Sequence, residues 1–144
     1  MAAVEKKTRV LIVDDSAFMR KVLEEIIRTD SRLEVVGQAK DGREAVTLAQ
    51  TLQPDVMTMD INMPRMNGYE LMSHLRQDPA TRRIPVLVVT SRAGAKHRER
   101  AMKEGAASFL TKPVQEEQLL AVVDELMNSA ARQRRPAAPA LDLA

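Results

Sequence analysis

Five short apolar runs alternate with five stretches of helical period along the 144-residue chain, and this alternation restricts the fold more than any other feature. The runs are Arg9–Val13, Leu33–Gln38, Asp55–Met59, Pro85–Val89 and Ala107–Leu110. The first, Arg9-Val-Leu-Ile-Val13, is a continuous series of β-branched and aliphatic residues, the pattern of a strand covered on both faces of a parallel sheet. After it, Met19, Val22, Leu23, Ile26 and Ile27 recur three and four residues apart, so they form one stripe of a helix with Ser16 as its N-cap. Further helices are expected over Gly42–Leu52, Gly68–Gln77, Ala95–Glu104 and Gln115–Ala130, the last striped by Leu119, Val123, Leu126 and Met127. Each crossover must return the chain to the same edge of the sheet, so the alternation predicts an α/β fold with helices on both faces. The expected architecture is a doubly wound, five-stranded parallel (βα)5 sheet.

Composition narrows the class. The aromatic residues are Phe18, Tyr69 and Phe109, so a core drawn from the 44% hydrophobic content must be aliphatic. The absence of Cys excludes disulfides, thiolate metal sites and cysteine nucleophiles, and it fits a reducing cytoplasm. No apolar run approaches the ~20 residues of a membrane span, and Met1–Thr8 lacks the apolar middle of a signal peptide. A cytoplasmic protein with no membrane insertion is expected. The net charge of +2 comes largely from Arg132, Arg134 and Arg135 against Asp142, so it argues against nucleic acid as a partner. From residue 129 the apolar period fades and Pro and Ala accumulate, so residues 129–144 read as a Pro/Ala/Arg-rich flexible tail or linker.

Sheets of this kind place their ligand site beyond the carboxyl ends of the strands, near the point where strand order reverses. Asp14-Asp15 ends the first strand and Asp60 ends the third, which gathers three carboxylates at one rim. Clustered carboxylates are unfavourable without a cation or protonation. An oxygen-only ligand set with few protein carboxylates suits a hard ion, Mg2+ better than Ca2+. Thr90 and Ser91 follow the fourth strand and Lys112 the fifth. A hydroxyl and an ammonium there fit a transferring phosphoryl group, whose catalysis is mostly positioning and charge neutralisation. Singly, each residue also has a plain explanation: Asp favours helix starts, and lysines usually face solvent.

Together, Asp14-Asp15, Asp60-Ile-Asn-Met-Pro-Arg-Met-Asn-Gly68, Val89-Thr90-Ser91 and Lys112-Pro113 resemble the receiver domain of two-component response regulators. The resemblance covers residues 8–128, is of the chemotaxis type, and implies the flavodoxin-like strand order 2-1-3-4-5. It implies Asp60 as phosphoacceptor, with a histidine kinase as donor. It implies Mg2+ held by Asp15, Asp60 and the backbone carbonyl of Asn62, with Asp14 acting through water. Lys112 and Thr90 would bind phosphoryl oxygens, and Thr90 and Phe109 would be switch residues. The Lys112–Pro113 bond is usually cis in the family. The changing surface would be formed by the fourth helix, fifth strand and fifth helix, where Lys96, His97, Arg98 and Arg100 lie. A downstream protein target, of the chemotaxis or motility machinery, and a monomer are expected. Asn62 and Arg92 stand where receivers tune phosphoryl gain and loss.

Other readings compete. An aspartate-nucleophile phosphohydrolase shares the intermediate, but its usual second acid two residues beyond the nucleophile is replaced here by Asn62. A DNA-binding regulator would need a reading head outside the receiver. A structural or degenerate receiver would bind partners without phosphorylation, but the full set of acceptor, acids, hydroxyl and lysine argues against it. The chain is otherwise a free-standing regulator, or the receiver of a larger hybrid kinase or methylesterase, and its segment Thr90-Ser-Arg-Ala-Gly-Ala-Lys-His-Arg-Glu-Arg-Ala101 is especially similar to receivers at the ends of hybrid chemotaxis kinases. As a phosphorylated receiver, the domain is a signalling switch, not an enzyme acting on an external substrate.

Overall fold

The computed structural model describes residues 6–92 and 94–134. The elements alternate as expected: β1 (Thr8–Val13), α1 (Ala17–Arg28), β2 (Leu33–Ala39), α2 (Gly42–Leu52), β3 (Val56–Met59), α3 (Gly68–Gln77), β4 (Val86–Thr90), α4 (Ala95–Glu104), β5 (Ser108–Thr111) and α5 (Glu116–Arg134). All strand pairs are parallel, and the order is β2-β1-β3-β4-β5. β4 starts at Val86, one residue after Pro85, which has no N–H for a ladder. α5 is helical through Arg134, so residues 129–134 continue the helix where a tail was expected; residues 135–144 lie outside the described residues.

Successive strand side chains point to opposite faces, and this sheet buries both. One face carries Leu11, Val13, Met57, Met59, Val86, Val88 and Phe109 against the small and aliphatic residues of α2, α3 and α4. The other carries Val10, Ile12, Val56, Leu87, Val89 and Leu110 against Leu23 and Ile27 of α1 and Leu119 and Val123 of α5. Burial on both faces explains why the strands read as unbroken apolar runs. No helix among the described residues is long and apolar enough to cross a membrane.

Caps fix where the helices begin. Ser16 Oγ accepts the Met19 N–H at 3.2 Å, and Asp41 Oδ1 accepts the Glu44 N–H at 2.9 Å. Asn67 and Glu70 exchange reciprocal 3.0 Å bonds in a capping box. α4 differs: it starts after Gly94 with no side-chain cap and buries only Ala101. The strand order reverses between β1 and β3, so the loops leaving these two strands diverge and open a crevice at their carboxyl ends.

Candidate functional site

The residues just past the strand ends are held by the ladder itself. Asp14 N–H donates to Ala39 O at 3.0 Å, Asp60 N–H to Val13 O at 3.1 Å, and Lys112 N–H to Thr90 O at 2.8 Å. Adjacent parallel strands therefore deliver Asp14, Asp60, Thr90 and Lys112 to one rim. Carboxylate oxygens of Asp14, Asp15 and Asp60 lie within 4.8 Å of one another. Asp14 and Asp60 are buried, whereas Asp15 is exposed. Lys112 Nζ, on the far side of the rim, donates to Asp14 Oδ2 at 2.8 Å and to Asp60 Oδ2 at 3.0 Å. The Lys112–Pro113 bond is cis.

One ammonium faces three carboxylates, and the titration behaviour follows. Burial pushes the Asp14 carboxyl above its ordinary value, against the pull of Lys112 and the Ser16 N–H, and the Asp60 charge adds to the rise. Burial also disfavours the Lys112 ammonium, but its bonds to Asp14 and Asp60 and their charges together outweigh this and raise its pKa. Lys112 stays charged at neutral pH.

The segment after β3 folds back under Asp60. Asp60 Oδ1 accepts the Asn62 N–H at 3.1 Å, and Gly68 N–H donates to Ile61 O at 2.8 Å. A Cβ on Gly68 would lie 2.7 Å from Ile61 Cα and 3.1 Å from Asp60 O, so only glycine permits this approach. Ile61 and Met63 are buried, anchoring the loop from below. Across the mouth, Arg92 Nη2 donates to Asn62 Oδ1 at 3.3 Å.

Thr90 is fully buried, and its Oγ1 accepts the Arg92 N–H at 3.2 Å. Phe109 stands apart from the carboxylates: it is buried in the core beneath α4, with the Arg98 guanidinium 5.6 Å from its ring centre. Arg20 carries no expectation from the sequence, yet its Nη1 donates to Asp14 O at 2.7 Å. Its spacing held a signal, since Arg20 lies one turn after the N-cap Ser16 and helical side chains lean toward the N-terminus. An open concavity of about 780 Å³ lies elsewhere, lined by residues such as Pro54, Arg82, Arg83, Pro85 and Ala107; none of the rim carboxylates borders it.

Fold and rim define a class: flavodoxin-like domains with an acidic site at the reversal of strand order. The chain belongs to the response regulator receiver domain family, whose model matches residues 10–124. It is 45% identical over 112 residues to a protein-glutamate methylesterase/protein-glutamine glutaminase of Halalkalibacterium halodurans, covering 76% of this chain and 32% of that protein. The chain thus spans about a third of the length of the curated relatives it matches. Among solved structures it is similar to the response regulator domain of Thermotoga maritima CheB, with TM-score 0.78, 41% identity, and coverage of 85% of this chain and 98% of that one. The receiver domain of a Syntrophus aciditrophicus signal transduction histidine kinase gives TM-score 0.77 and 30% identity, covering 90% and 96%. The chemotaxis-type resemblance holds, with methylesterase receivers more similar in sequence than this kinase receiver.

Proposed function

We propose that the domain is a phosphoacceptor switch in which Asp60 takes a phosphoryl group from the phosphohistidine of a histidine kinase. The observation that carries this reading is the rim itself: three carboxylates within 4.8 Å, two of them bound by a single half-buried lysine. An Asp60 carboxylate oxygen attacks phosphorus, the P–O bond forms, and the P–N bond breaks with imidazole as the leaving group. Imidazole leaves without a dedicated acid, which is why Asn62 suffices where a phosphohydrolase needs a carboxylic acid.

The donor set fits Mg2+, because all its side-chain ligands are hard carboxylate oxygens and one of them, Asp15, is exposed at the mouth of the rim. Asp15, Asp60 and the Asn62 carbonyl would hold the ion, with Asp14 acting through water; bound there, it neutralises phosphoryl oxygen charge. Lys112 receives the phosphoryl oxygens on the opposite side, and Thr90 donates its hydroxyl to them. Phosphorylation adds nearly two negative charges at the rim, which draws Thr90 and Lys112 inward and shifts the surface of α4, β5 and α5. Phe109, under Arg98, couples the two.

The methylesterase relatives support a second statement about context: the domain serves as a cytoplasmic, chemotaxis-type receiver of the methylesterase kind, whether alone or within a longer protein. The domain itself catalyses only its own phosphoryl gain and loss. The test is intact mass after incubation with acetyl phosphate. One phosphoryl adduct, labile to hydroxylamine and requiring both Mg2+ and Asp60, is expected; an adduct that persists in Asp60→Asn would overturn the assignment.

A further inference from the structure

Every polar atom of Asp14 is engaged. Its N–H donates to Ala39 O, Oδ1 accepts the Ser16 N–H at 2.9 Å, Oδ2 accepts Lys112 Nζ at 2.8 Å, and its carbonyl accepts Arg20 Nη1 at 2.7 Å. The first belongs to the sheet ladder, and the next two hold the carboxylate. The fourth serves neither helix nor sheet: it fixes the peptide plane that joins Asp14 to Asp15. The Asp15 carboxylate is exposed and has no hydrogen bond or ion pair among the described residues. Only its backbone determines where it stands.

We propose that Arg20 is a positioning residue, which anchors the Asp14–Asp15 peptide and thereby aims the Asp15 carboxylate at the rim to bind a divalent cation. This rests on the reading of the rim as a Mg2+ site. Arg20 is well suited to the task. It sits in the first turn of α1, where its own N–H bonds Ser16 O at 3.0 Å, so the helix start and the acidic loop are tied together twice. A guanidinium bond to a carbonyl is charge-assisted and directional, which suits it to holding a peptide plane.

Two roles for Arg20 predict opposite signs. A bare positive charge beside the site repels Mg2+, so removing it would tighten binding. An anchor that aims a ligand strengthens binding, so removing it would weaken the site, by about tenfold for an outer-shell partner. The experiment is calorimetric titration of the full chain with MgCl2 alone, for wild type, Arg20→Met and Lys21→Met, with thermal unfolding in EDTA to verify the fold. Lys21 is exposed and has no hydrogen bond or ion pair among the described residues, so its variant reports the effect of charge.

The expected result is weaker Mg2+ binding by Arg20→Met, with Lys21→Met equal to wild type or slightly tighter. Arg20→Met binding as tightly as wild type, or more tightly, overturns the proposal. Wild type that binds no Mg2+ overturns the metal site itself, a distinct outcome. Should Arg20→Met not fold, Arg20→Gln, uncharged and too short to make the same contact, is read by the same criteria.

Discussion

Replacing Asp15 by Asn should make the domain more stable in EDTA and less stable than wild type in Mg2+. Asp15 is exposed, makes no hydrogen bond among the described residues, and has carboxylate neighbours within 4.8 Å in Asp14 and Asp60. Each like-charge pair at that separation costs about 1 kcal/mol in a water-like dielectric. Lys112 offsets part of the sum, but it is bound to the other two acids on the buried side. The net gain from neutralising Asp15 is therefore about 1 kcal/mol, a rise of about 3 °C in the unfolding midpoint for a domain of this size. Mg2+ reverses the order. At a concentration of about 100 times Kd a ligand stabilises the folded state by about 2.7 kcal/mol, and a variant lacking one of the proposed ligands forfeits most of that. The assay is urea or thermal unfolding of both proteins in EDTA and across a Mg2+ series, which should yield two curves that cross. Parallel curves, with equal Mg2+ gains for both proteins, would refute the role of Asp15; a variant less stable in EDTA would refute the repulsion argument.

Other expectations concern the scaffold. Thr58 Oγ1 is fully buried with no hydrogen-bond partner, so Thr58→Val should stabilise the domain by about 1 kcal/mol in denaturant unfolding. Gly68→Ala forces a Cβ against Ile61 Cα and should cost about 1–3 kcal/mol, with slower phosphorylation by acetyl phosphate because the Asp60 loop must shift. The Arg32 side chain and N–H hold the Asp30 carboxyl down to about 2, below its ordinary 3.8. A depressed carboxyl contributes stability above its unfolded pKa and loses it as pH falls through the folded value. Asp30→Asn should thus be less stable than wild type near pH 6 and converge with it as acidification approaches about pH 2.

Much of this was legible in the sequence because it depends on period and position along the chain. The run Val10–Val13 is apolar throughout because both faces of β1 are covered, and Asp14 follows it because the rim begins where the strand ends. Contacts made through space carry no such mark. Lys112 reaches Asp14 across 98 residues of chain, and without a family resemblance nothing in its neighbours distinguishes it from a solvated lysine. Arg20 carries no such mark either, since the carbonyl it binds belongs to a loop whose path a periodicity argument does not trace. Thr58 reads as a good strand former, and only the packed structure shows its hydroxyl unpartnered.

The placement of weak and strong anchorage explains how a charge at the rim can be felt elsewhere. The proposed acceptor is held on all sides: Asp60 by the β1 ladder, Asn62 and Lys112, and its loop by the Gly68 contact and the buried Ile61 and Met63. That part of the domain resists displacement. α4 lacks a side-chain cap, buries only Ala101, and rests its arginines on two buried rings, Arg98 over Phe109 and Arg100 over Tyr69. Cation–π contacts at exposed sites contribute about 0.5–1 kcal/mol each, less than a buried aliphatic side chain. In the proposed mechanism Lys112 is shared almost equally between Asp14 and Asp60, so new phosphoryl charge on Asp60 changes the balance without breaking the core. The resulting shift of Thr90 and β5 falls on the helix with the least to lose. In that mechanism a rigid acceptor beside a loosely held helix is what a switch requires, because free energy that barely moves the rim would suffice to repopulate α4.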